Sequence, residues 1–432
     1  MELKLTREDF INQYPPSNSL NKQGIDKLWD KEGFNIYVHI PYCYKKCEFC
    51  YYKSDEIYDK PVPDEYIESL LKEIEMVSAI PQVCSKVASS VYFGGGTPTK
   101  MTSKQIRAVL DKIITSFNLA NEYELCFEAR PGPETNEEKL RILNEYNIRR
   151  LSVGVQSMDN QVLKDNGRTH DVEAFYKVFE LARKMNIPSI NVDIMSGMVN
   201  QTFNSWIDTI DKLIDLHPEN IAVYKLELYL NNALYKKLRN RQIVLMSDTE
   251  EADFVRAGFQ KLMDSGYIAV TNFSFATKEE HNHVHRKKLW EGEDMLGLGA
   301  SAHSCYNETL FQNEININKY IKRVSQGIIP TMRAYKMSKR EDMLQRLVFG
   351  IKSTNYEMRR FYDEFGVDIM TLFKNELEFL REKGFIVITD THIKLTLEGI
   401  LYADDIVRLF YLPHQKEAYL SHAERSKQTA GS

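Results

Sequence analysis

Six short runs of β-branched and aromatic residues, separated by stretches of helical periodicity, constrain this chain more than any other feature. The runs are Asn35 to Ile40, Ser89 to Phe93, Tyr123 to Glu128, Arg149 to Gly154, Ser189 to Ile194 and Asn220 to Leu226. Each is short and apolar enough to be buried on both faces, as a strand of a parallel sheet is. Between them, Ile67, Leu70, Leu71, Ile74 and Val77 form one apolar stripe at helical spacing. Thr102 with Gln105 makes a capping box ahead of Ile106, Val109 and Leu110. This alternation predicts an α/β fold: a parallel sheet with right-handed crossovers, open or closed into a barrel. Such folds carry their chemistry at the C-terminal ends of the strands. The conspicuous polar residues fall there: a cysteine group after the first run, Gly94-Gly95-Gly96-Thr97 after the second and Glu128 ending the third. Gln156 lies just beyond the fourth run and Asp193 near the end of the fifth.

With 432 residues, the chain is long enough for one large catalytic domain and smaller additions. A net charge of -5 without a long basic run argues against nucleic acid or an anionic membrane as the main partner. The first residues lack the pattern of a signal peptide, and no apolar stretch is long enough to span a bilayer. A cytoplasmic protein is expected.

Of the six cysteines, three crowd into eight residues, as Cys43-x-x-x-Cys47-x-x-Cys50. Outside a small secreted chain, that clustering points to metal or redox chemistry, not to disulfides. Thiolates are the natural ligands of iron-sulfur clusters, and three of them leave one iron of a 4Fe-4S cubane open. An open iron can chelate the amino and carboxylate groups of S-adenosylmethionine (SAM). The competing assignment is a zinc site completed by His39. Phe93-Gly94-Gly95-Gly96-Thr97-Pro98 lets backbone approach a ligand closely, a weak signal alone but a strong one a single strand after the cysteines.

On these stretches, with Leu151 to His170, Asn191 to Gly197, Trp290 to Ser304 and Leu395 to Ile406, the chain resembles the oxygen-independent coproporphyrinogen III oxidase (HemN-type) group of radical SAM proteins. The resemblance implies a partial (β/α)6 barrel followed by a small C-terminal helical domain. It divides the chain into an N-terminal segment (1–34), a radical SAM domain (35–330), a HemN-like helical domain (331–412) and a flexible tail (413–432). It implies a 4Fe-4S cluster on Cys43, Cys47 and Cys50, with Tyr37, Gly95 and Glu128 contacting the cluster-bound SAM. A second SAM molecule would meet Phe49, Gly96, Thr97, Gln156, Arg168, Asp193, Glu227 and His303. Chemistry agrees: a carboxylate such as Asp193 suits ribose hydroxyls, and Arg168 suits a methionine carboxylate. Reduced flavodoxin or ferredoxin is the implied electron donor.

Three departures choose the branch. Tyr52 stands where the oxidases carry a further cysteine. The positions of Glu227 and His303 are apolar in the oxidases. His285-Arg286-Lys287-Lys288-Leu289-Trp290 lacks the Asn and Tyr of the HNxxYW motif of HemW-type haem chaperones. The favoured expectation is therefore a two-SAM enzyme that methylates an unsaturated carbon of an aromatic, quinone or tetrapyrrole. Oxidative decarboxylation of coproporphyrinogen and haem trafficking are the alternatives. His281, His283 and His285 could ligate metal or haem, but with Lys278, Glu279 and Glu280 beside them a solvated loop is expected. Tyr14-Pro15-Pro16 matches either a segment over the active site or a plain Pro-rich turn.

Overall fold

The computed structural model describes residues 11, 13–16, 20, 33–229 and 232–416. All six sequence-predicted strands form: β1 (Gly33–Ile40), β2 (Val87–Gly95), β3 (Asn118–Ala129), β4 (Arg150–Gln156), β5 (Ser189–Ser196) and β6 (Asn220–Lys225). They pair in parallel in chain order. Helices α1 (Asp64–Ser78), α2 (Ser103–Ser116), α3 (Glu137–Glu145), α4 (Val172–Lys184) and α5 (Phe203–Leu216) fill the crossovers, and α6 (Asp248–Asp264) follows β6. The predicted capping box opens α2, with Gln105 N–H donating to Thr102 Oγ1 at 3.2 Å and Thr102 N–H to Gln105 Oε1 at 2.9 Å.

The strands are buried on both faces, but not by apolar residues on both. Ile36, Val38, Val91, Phe93, Val153 and Val192 belong to one hydrophobic core together with helix residues such as Leu70, Ile106 and Trp206. The alternating residues Asn35, Ser90, Glu124, Arg150, Asn191 and Asn220 are equally buried and polar. This period-2 split makes a partial barrel with an apolar coat and a polar interior.

Later strands were not legible as such. β7 (Ile268–Thr271) and β8 (Ser274–Ala276) extend the sheet beyond β6, and β9 (Asp294–Leu298) adds a seventh parallel strand beside β1. β10 (His303–Tyr306), β11 (Thr309–Asn313) and β12 (Thr331–Lys336) continue that edge in antiparallel order, giving twelve strands in all. Short runs holding Gly297, Ser274 or Cys305 carry too little pattern to be read alone.

β12 lies within 331–412, assigned from sequence to the helical domain, yet it hydrogen-bonds to β11. We propose that the boundary falls at Ser338, the N-cap of the next helix. Beyond it, helices surround a three-stranded sheet in which a hairpin (Ile386–Ile388, His392–Leu395) is joined by Asn355–Glu357. Tyr14 packs into this unit: its ring lies 5.2 Å from that of Tyr411, and its hydroxyl donates to Gln415 at 2.9 Å. Gln415 is buried and residues 413–416 are helical, so that part of the expected tail is ordered by contact with Tyr14. Residues 417–432, and most of 1–34, lie outside the described residues.

Candidate active site at the barrel mouth

The loop from β1 carries Cys43, Cys47 and Cys50, all half-buried free thiols. The glycine-rich segment after β2 is stitched to it: Gly96 N–H donates to Ile40 O at 2.9 Å and Thr97 N–H to Tyr42 O at 2.8 Å. A Cβ on Gly96 would stand 2.6 Å from Tyr42 O, so glycine is required there for two backbones to meet. Gly95, at φ +112°, lies over the His39 ring. Thr97 Oγ1 donates to Cys43 Sγ at 3.6 Å, and Arg168 Nη1 to Cys47 Sγ at 3.1 Å.

These groups fit a cluster. Burial raises the Cys43 thiol, and burial together with its two neighbouring thiols pushes Cys50 up to about 12. Thiolates here would need positive charge, which a cluster's iron would supply and to which the Arg168 guanidinium adds at Cys43. Arg168 also donates to Gly154 O, while its Nε is buried with no hydrogen-bond partner among the described residues. His39 does not serve a zinc site: Nδ1 pairs with the Tyr37 hydroxyl at 2.8 Å and Nε2 lies 3.5 Å from Lys53 O. Among the described residues no three His, Cys, Asp or Glu side chains converge on one metal ion. A cubane makes no such demand, because each thiolate meets its own iron.

Glu128 ends β3 beneath the glycine loop, accepts from Tyr92 and Gly95, and is raised to about 7 by burial. Tyr37 and Asp193 are its electrostatic neighbours. Asp193 accepts from Ser152 at 3.0 Å and Asn191 at 2.7 Å, and burial lifts its carboxyl above the usual range. Gln156 takes a positive φ of 73° at the end of β4, beside Gly154 and Arg168. Glu227, after β6, accepts from Tyr229 and is raised to about 8 by burial. His303 in β10 is lowered to about 4 by burial, with Arg333 and His39 adding to the effect. Thus Tyr37, the three cysteines, Gly95, Gly96, Thr97, Glu128, Gln156, Arg168, Asp193, Glu227 and His303 gather around the C-terminal strand ends. Phe49 differs: it packs against the apolar group of Val162, Met195, Met198, Val199, Leu226 and Leu234.

The histidine cluster is not a solvated loop. His283 and His285 are buried, at the start of α7 (Val284–Trp290), with rings 5.0 and 5.2 Å from Tyr92. His285 Nδ1 pairs with Ser90 Oγ at 2.7 Å. Glu124 accepts from the N–H groups of Val284 at 3.2 Å and His285 at 3.1 Å, capping the helix from β3. Arg150 and Asn220 both donate to His281 O. The segment closes the floor of the barrel, opposite the cysteines. Sequence reasoning used Tyr52 only as a departure from the oxidases and did not single out Tyr51, whose ring stacks on it at 4.3 Å.

The radical SAM superfamily model matches residues 37–213, and the HemN C-terminal domain model matches residues 337–402. The chain is 28% identical over 380 residues to the heme chaperone HemW of Bacillus subtilis, covering 87% of this chain and 98% of that one. It is 28% identical over 401 residues to the oxygen-independent coproporphyrinogen III oxidase of Pseudomonas aeruginosa, covering 88% and 86% respectively. The solved structure of coproporphyrinogen III oxidase (HemN) from Escherichia coli superposes with a TM-score of 0.80 at 23% identity, over 93% of this chain and 96% of that one, which shows the shared fold. With both domain models matched in order along a HemN-like fold, the chain belongs to the radical SAM superfamily and to its HemN/HemW-like family.

Proposed function

We propose that this protein cleaves SAM reductively at a 4Fe-4S cluster on Cys43, Cys47 and Cys50 and directs the resulting radical to a tetrapyrrole. When bound on Cys43, Cys47 and Cys50, the cluster would supply the electron for reductive cleavage of SAM, and SAM would supply the hydrogen-abstracting chemistry. The chain's own residues do the positioning. Arg168 and Thr97 hold two of the sulfurs, the glycine segment fixes the cysteine loop, and Glu128 and Asp193 offer acceptors to amino and hydroxyl groups of SAM. The observation that carries the proposal is the Arg168 to Cys47 contact, which ties a strand-end cation to the thiol loop. The tetrapyrrole rests on the names of the relatives, heme chaperone and coproporphyrinogen III oxidase. Among tetrapyrrole reactions, oxidative decarboxylation of coproporphyrinogen is the first reading.

Methyl transfer from a second SAM is the second reading, and Tyr52 favours it by standing where the oxidases have cysteine. A haem-chaperone role draws no support from the histidines, since His283 and His285 are engaged in the barrel floor. The electron donor proposed is reduced flavodoxin or ferredoxin. Among the described residues no helix is long and apolar enough to cross a membrane.

The test is anaerobic reconstitution with iron and sulfide, then incubation with SAM, dithionite and coproporphyrinogen III. 5'-Deoxyadenosine with vinyl products supports decarboxylation; 5'-deoxyadenosine with S-adenosylhomocysteine supports methyl transfer. Both must vanish in Cys47→Ala and persist in Cys84→Ala. An intact cluster that yields neither nucleoside would sink the enzymatic reading.

A further inference from the structure

Alternate residues of β2 form a ladder inside the barrel that runs from its floor to its mouth. Ser90 is the lowest rung, its Oγ paired with His285 Nδ1 at 2.7 Å. Tyr92 is the middle rung and stands in register with Tyr37 of β1 and Cys126 of β3. Its ring lies 5.0 Å from that of His283, 5.2 Å from His285 and 5.5 Å from Tyr37, so the floor helix α7 and β1 both brace it. Its hydroxyl donates upward to Glu128 Oε1, two residues beyond Cys126 on β3. Gly94, the top rung, leaves the room this contact needs. A Cβ there would meet Glu128 Oε1 and Tyr37 Cε2 at 3.1 Å each.

A carboxylate accepts from an amino group best when it is ionised. Burial works against that at Glu128 and raises it to about 7, while the Tyr92 hydroxyl is the side-chain donor that pulls it back. The other titratable or charged groups facing it are Tyr37 in β1, Tyr52 after Cys50, Cys126 in β3, Asp193 in β5, Tyr224 in β6 and Arg286 in α7. Burial keeps the tyrosines and the thiol neutral, Asp193 raises Glu128 and Arg286 lowers it. A Tyr92→Phe change removes none of the six. We propose that Tyr92 is a positioning residue: braced by the floor histidines, its hydroxyl holds Glu128 as an acceptor for the amino group of SAM. The inference rests on the SAM reading above and adds a residue that reading does not use.

The test compares wild type with Tyr92→Phe, which keeps the ring and removes only the hydroxyl, in the reconstituted full chain. Calorimetric SAM affinity, followed from acid to mildly alkaline pH, should fall on the acid side. In Tyr92→Phe that fall should begin about one to two pH units higher, leaving binding roughly 10- to 100-fold weaker on the acid limb. The amino group of SAM titrates alike in both series, so the ratio of affinities isolates the protein. Without SAM, the infrared band of the protonated Glu128 carboxyl, identified by its loss in Glu128→Gln, should persist to correspondingly higher pH in Tyr92→Phe. Cluster absorbance and melting temperature confirm that each variant is folded. Coincident affinity profiles, a loss equal at every pH, or a carboxyl band that titrates identically in both proteins each overturns the proposal. If the band shifts but neither protein binds SAM, the link from Tyr92 to Glu128 stands and the SAM reading falls.

Discussion

Arg168 reaches back from the loop after β4 to set Nη1 3.1 Å from Cys47 Sγ, across 121 positions of sequence. One side chain thus joins the fourth strand end to the loop leaving the first, and sets a guanidinium beside one of the three clustered sulfurs. Hydrogen bonds to charged groups contribute about 1.5–3 kcal/mol. Arg168→Gln should therefore slow 5'-deoxyadenosine formation roughly 10- to 100-fold. Iron per chain is measured alongside; a variant with full iron and a rate within a factor of about two of wild type would show that the contact is incidental.

Gly96 and Gly366 make a contrasting pair. An Ala Cβ at Gly96 meets the Tyr42 carbonyl at 2.6 Å, whereas at Gly366 it meets nothing within 4 Å despite a φ of +68°. Gly96→Ala should part the glycine segment from the cysteine loop and abolish SAM binding. Gly366→Ala should cost about 1 kcal/mol of stability and leave SAM binding intact. Calorimetric SAM titration of the two variants separates these outcomes.

Lys352 and Asp404 form an ion pair of 2.6 Å in which both side chains are buried. Removing the anion leaves a cation in the interior, which costs about 3–5 kcal/mol. Asp404→Ala should lower the unfolding free energy extrapolated from denaturant titration by that amount, and Ile11, whose N–H donates to the same carboxylate at 3.1 Å, should lose its anchor. Limited proteolysis near residue 11 reports the second effect.

Glu73 is buried beneath three donors: Gly299 N–H at 2.7 Å, Asn313 Nδ2 at 2.6 Å and the Tyr320 hydroxyl at 2.6 Å. Burial outweighs them and raises its carboxyl from 4.5 to about 7. The folded chain holds this proton more tightly than the unfolded chain. The linked stability is therefore full below about 4.5 and is lost as pH rises through about 7. Tyr320→Phe deletes a donor that lowers the value, so its loss of stability should be displaced to higher pH. Melting curves of both proteins from acid to mildly alkaline pH give the difference; coincident profiles would rule Glu73 out as the source.

Much of the site was legible because it is local in sequence. Cys43, Cys47 and Cys50 share one loop, Gly96 sits one residue past β2, and Glu128, Gln156 and Asp193 lie at strand ends that apolar runs mark by themselves. Phe49 was assigned to the ligand by position, and what the fold adds is its packing against the apolar group that includes Met195 and Leu226. The histidines were misread because Lys278, Glu279 and Glu280 make their neighbourhood polar. Ser90 and Glu124, far away in sequence, draw His285 and the helix that begins there into the barrel.

What the sequence determined by itself was the alternation of strand and helix, the thiol set and the end of the sheet where chemistry gathers, since each depends on residues a few positions apart. The tertiary structure alone decided the polar inner face, the seventh parallel strand and the plugged floor. Those depend on which side of a strand faces which neighbour, a choice made by burial and hydrogen bonding between segments a hundred or more residues apart.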